Sequence, residues 1–91
     1  MMNLPLNCAI LKYFTKVDTP SSADDVIDAL KADYGDFKAF KKKEVMNVLL
    51  TGVVNGFLQE ERYELDKGGN VTIWYKANQE GRDLINHYLP D

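Results

Sequence analysis

Between Asp36 and Glu44, four lysines (Lys38, Lys41, Lys42 and Lys43) stand against two acids and form one basic island in an otherwise acidic chain. Lysines at this density bind phosphate through charge and hydrogen bonding. At a helix start, free backbone amides add to that attraction. The bland alternative is a solvated lysine face, the usual fate of a charge run. Other chemistry has little footing. His87 is the only histidine and Cys8 the only cysteine, so they cannot supply a zinc cluster or a repeated ligand spacing. Both also fall on helical packing patterns, where buried, inert cysteine is the ordinary case. Gly68-Gly69 reads as a hairpin turn, not a phosphate-binding loop. Neither enzyme activity nor a cofactor is expected.

The charges are unevenly spread. Eleven basic and 14 acidic side chains give a net charge of −3. Val17–Gly35 carries Asp18, Asp24, Asp25, Asp28 and Asp33 against Lys31 alone, and Gln59–Asn70 carries Glu60, Glu61, Glu64 and Asp66 against Arg62 and Lys67. With 91 residues, 45% of them apolar, a single folded domain spanning 1–91 is expected. No apolar run is long enough to span a bilayer. Met1–Pro5 lacks the basic-then-apolar pattern of a secretory signal. With one cysteine, an internal disulfide is excluded and the cytoplasm is the expected compartment.

Four helices and a hairpin must position the island. Leu6, Ala9, Ile10, Tyr13, Phe14 and Val17 recur at helical spacing, with Pro5 in the first turn and Asp18-Thr19-Pro20 as a stop. A second helix starts at Ser21 or Ser22 with acids in its first turn. It buries Ala23, Val26, Ile27 and Leu30 and ends at Gly35. The third runs from Asp36 to Gly56, with Phe37 and Phe40 either in its first turn or on a short turn of their own. Gly52 inside it implies close backbone packing. Two strands follow. Leu65 opposite Val71 pairs Tyr63 with Ile73, Arg62 with Trp74 and Glu60 with Lys76. That register puts Tyr63, Leu65, Val71, Ile73 and Tyr75 on the core face, and a cation over an aromatic ring on the other. Trp74 is then either a binding anchor or a ring covered by Arg62, Lys76 or the first residues of the chain. The last helix is capped by Asn78, buries Leu84, Ile85, Tyr88 and Leu89, and is closed by Pro90.

Two stretches carry a family likeness. Leu49-Leu50-Thr51-Gly52-Val53-Val54-Asn55-Gly56-Phe57-Leu58 resembles the segment by which the third helix of winged-helix proteins leads into the wing. Tyr75-Lys76-Ala77-Asn78-Gln79-Glu80-Gly81-Arg82-Asp83-Leu84-Ile85 is similar to the family's path from the second wing strand into the last helix, with Asn78 in place of a threonine cap. The resemblance covers residues 4–89 and implies an α+β winged helix of order α1-α2-α3-β-β-α4.

It also implies a function. Small proteins of this family are commonly transcriptional regulators that put the third helix in the major groove of double-stranded DNA. On that geometry Lys41, Lys42, Lys43 and Asn47 face DNA, with Lys38 alongside and Lys67 and Asn70 at the wing tip. Regulators of this kind often pair through the first or last helix, here with Tyr13, Phe14, Tyr88 and Leu89 as the apolar surface. The acidic wing fits DNA less well. The competing expectation is a protein-interaction module using the acidic second helix and Trp74.

Overall fold

The computed structural model describes residues 5–89. Its elements are α1 (Leu6–Tyr13), α2 (Ala23–Tyr34), α3 (Lys42–Val54), β1 (Gln59–Leu65), β2 (Val71–Lys76) and α4 (Gln79–Tyr88). Pro5 stands at the N-cap of α1, not inside its first turn. The helix ends four residues before Val17, because the amides of Phe14, Thr15 and Lys16 bond the carbonyls of Leu11, Lys12 and Tyr13. Those tight i to i−3 bonds close the last turn. Phe14 still reaches the core and is almost fully buried.

Ser22 caps α2 through a reciprocal pair: its hydroxyl accepts from the Asp25 amide, and the Asp25 carboxylate accepts from the Ser22 amide. Aspartate here takes the place that glutamate usually holds in a capping box. Immediately before it, Ser21 exchanges two backbone hydrogen bonds of 2.8 Å with Tyr75 of β2. This short bridge lays a third, one-residue strand beside the hairpin, a feature the sequence reading missed.

The expected start of α3 at Asp36 is corrected. Residues 36–41 form separate turns, with Phe37 bonded to the Tyr34 carbonyl and Phe40 to that of Phe37. The Tyr34 and Phe37 rings meet edge to face at 5.1 Å, and Phe40 packs on the core. Lys41 is extended (φ −126°, ψ 150°) and starts the helix from outside. Val45 and Leu49 are fully buried. At Gly52 an added Cβ would sit 2.9 Å from Leu58 and 3.3 Å from Leu11, so the close packing expected there is present.

β1 and β2 pair antiparallel with Leu65, Tyr63 and Arg62 opposite Val71, Ile73 and Trp74, and the Arg62 guanidinium lies 3.8 Å above the Trp74 ring. The expected Glu60–Lys76 pair does not form. A bulge between Glu60 and Arg62 sets Glu60 opposite Tyr75 and Gln59 opposite Lys76. An extra residue reverses which face the strand presents. Without it, Leu58 would point away from the core; with it, Leu58 is buried against Gly52 of α3. The expected core face is also corrected. Tyr75 is buried and Ile73 partly so, but Tyr63, Leu65 and Val71 are 70%, 65% and 49% exposed. The hairpin reaches past the helices that would have covered them.

Asn78 caps α4 by accepting from the Gly81 amide at 2.8 Å. Ile85 is fully buried, Leu84 and Leu89 half so, and Tyr88, expected inside, is exposed. Pro90 lies outside the described residues, as do the first residues offered as cover for Trp74. Two long-range contacts fix α4. Arg82 donates to the Val17 and Ala77 carbonyls and to Asp18, while buried Lys12 donates to Asn86 at 2.8 Å. The fully buried side chains Ile10, Phe14, Val26, Val45, Leu49 and Ile85 come from all four helices.

Candidate nucleic-acid interface

The basic island straddles the start of α3. Lys38 lies on the preceding turn, Lys41 at the N-cap, and Lys42 and Lys43 in the first turn. All four are exposed. The expectation that Lys41 lies within the helix is therefore corrected. Lys41 makes no side-chain capping bond, so the first-turn amides are open to an outside acceptor. Lys42 reaches Asp24 of α2 at 3.3 Å; both are more than half exposed, and such a pair contributes little. Asn47 is exposed one turn further along.

The wing tip is built differently. Asp66 accepts from the backbone amides of Gly68 and Asn70 and from the Asn70 side chain. These bonds hold the Asp66 carboxyl below its ordinary range. Gly69 supplies the left-handed turn (φ +82°). Lys67 is exposed, whereas the amide of Asn70 is already engaged. Lys42 and Met46 line one side of a small cleft, and Val71 and Thr72 the other. The start of α3 and strand β2 of the wing thus face each other.

One feature went unread in the sequence. The exposed row of α3 continues from Lys42 through Met46, Leu50 and Val54, the last three 44%, 57% and 77% exposed. Their spacing of four was the available signal. Trp74 is half-buried beneath Arg62, in agreement with the covered reading. Of the four residues expected to pair copies, Phe14 is core and the Tyr13 hydroxyl bonds Ser21, while Tyr88 is exposed and Leu89 half-buried. Among the described residues no three His, Cys, Asp or Glu are grouped to hold a metal ion. No described helix is long and apolar enough to cross a membrane.

No family model and no curated protein matches the sequence. The structure is similar to the crystal structure of Bacillus subtilis PadR in complex with operator DNA. The TM-score is 0.69 over 94% of this chain and 48% of that one, at 20% identity. The chain adopts the winged-helix fold. Three helices, a hairpin wing and a fourth helix follow in the expected order, and α2 and α3 both pack against the wing, α2 on β2 and α3 on β1. The winged helix described here spans about half the length of PadR.

Proposed function

We propose that this winged helix is a small transcriptional regulator that binds double-stranded DNA with α3 in the major groove. The supporting observation is the exposed cluster Lys41–Lys43 at an uncapped helix start, beside the wing, on a fold shared with a protein crystallised on operator DNA. Lys41, Lys42, Lys43 and Lys38 then meet phosphates or base edges. Asn47 is placed one turn in for a base edge, since an amide can pair both ways with adenine. Lys67 touches backbone from the wing, with Asn70 presented on the turn Asp66 holds. Changing Lys41, Lys42 and Lys43 to alanine should weaken binding to all sequences. It should lower the slope of log affinity against log salt by up to ~0.9 per lost phosphate contact. A wild type that binds no duplex at low salt, where attraction is greatest, overturns the reading.

A second reading, a protein-interaction module, is favoured by the apolar row Met46, Leu50 and Val54 on the same helix and by the acids of β1. It predicts feeble duplex binding at physiological salt, unchanged by the lysine substitutions.

A further inference from the structure

The apolar residues left in solvent form one surface. Met46, Leu50 and Val54 make a row along α3, since residues four apart share a helix face. Met46 shares its cleft with Val71 and Ile73 of β2, and these lie directly opposite Leu65 and Tyr63 of β1. The continuous face exposes on the order of 600 Å² of apolar residues, at or above the largest patch of an ordinary monomer. That approaches the ~800 Å² per partner of a stable interface.

We propose that this face pairs with the same face of a second copy about a two-fold axis, the two α3 helices running antiparallel. Charge selects this occupant. The row begins at Lys42, with Lys43 beside it, and ends at Val54; five residues on, β1 opens with Gln59, Glu60 and Glu61. Antiparallel packing sets the Lys42 end of one helix against the Val54 end of the other. Each basic end then meets the second copy's Glu60 and Glu61. The two lysine ends stay about 18 Å apart, the length of the helix between them. A parallel pairing would crowd like charges together, and β1 edge-to-edge pairing would oppose acids with acids. In the antiparallel pair, Tyr63, Leu65 and Val71 of each wing close over the other copy's helix. Because Lys42 and Lys43 belong to both surfaces, paired copies cannot present α3 to a duplex. That regulatory consequence rests on the DNA reading; the pairing itself does not.

Sedimentation equilibrium without nucleic acid tests it. The wild type should self-associate to a dimer and no further at micromolar concentrations. Leu50→Glu should raise the dissociation constant at least tenfold while circular dichroism shows an unchanged fold. Lys42→Glu/Lys43→Glu and Glu60→Lys/Glu61→Lys should each be monomeric alone and form a heterodimer when mixed. This arm decides the matter even if Leu50→Glu folds poorly. A wild type monomeric at high micromolar concentration would leave the face to a different partner and overturn the proposal. So would a dimer indifferent to Leu50→Glu, or charge-swapped variants that do not recombine. As no DNA is present, these outcomes leave the regulator reading untouched. Failure of duplex binding likewise leaves the dimer untouched.

Discussion

Asp66 organises the wing tip by itself. Its carboxylate accepts from Gly68 at 2.8 Å and from Asn70 at 2.9 Å, bonds that favour its charged form and lower its pKa. A folded value below the unfolded one gives stability that is present above the ordinary value of 3.8. That stability is lost as pH falls through the lower folded value. The amide resonances of Gly68 and Asn70 should therefore shift together in one acid transition below 3.8. Asp66→Ala should abolish that transition and free Asn70. Gly81 gives a prediction of space: an added Cβ would collide with the Phe57 carbonyl oxygen. Gly81→Ala should cost about 1–3 kcal/mol in urea denaturation, more than any surface substitution on the wing. Residues with local partners were the legible ones. Ser22, Asn78 and the Arg62–Trp74 stack follow from short spacings or strand register. Lys12 and Arg82 carry no local signal of their roles, because their partners Asn86, Val17 and Asp18 lie far along the chain.

At the scale of elements, α2 depends on its cap and the hairpin on its bulge. Ser22→Ala removes the hydroxyl that holds the Asp25 amide and should cost about 1 kcal/mol by thermal or urea unfolding. Removing Glu61 to straighten β1 should be far worse, since it turns Leu58 outward and empties part of the core. The deletion should give a protein that unfolds well below the wild type in a thermal scan. Element order and type were legible because helices and strands write their periods into the apolar pattern. The bulge was not, since alternation runs unbroken from Tyr63 to Leu65 and the change of phase falls in a charged stretch. Nor was the start of α3. Phe37 and Phe40 fit a helical spacing by count, yet they serve a turn that packs Phe40 on the core and sets Phe37 against Tyr34.

For the whole molecule, the sequence pattern overstated how much surface the helices cover. Alternation puts Tyr63, Leu65 and Val71 on one face of the hairpin, but it does not say how far that hairpin overhangs. Leu65→Ser should consequently change the stability of the monomer by no more than ~0.5 kcal/mol. Ile85→Ala, at a fully buried position, should cost about 2–5 kcal/mol by the same measurement. The bridge between Ser21 and Tyr75 has a different consequence, which lies in time. It fastens the residue before the α2 cap to the last strand, across a loop that contains α2, α3 and β1. A nascent chain emerges from its N-terminus first, so Ser21 must wait for Tyr75 to clear the ribosome before either bond can close. The bridge is then absent until β2 has emerged, and in a chain stalled before Val71 the Ser21 amide should exchange its hydrogen freely.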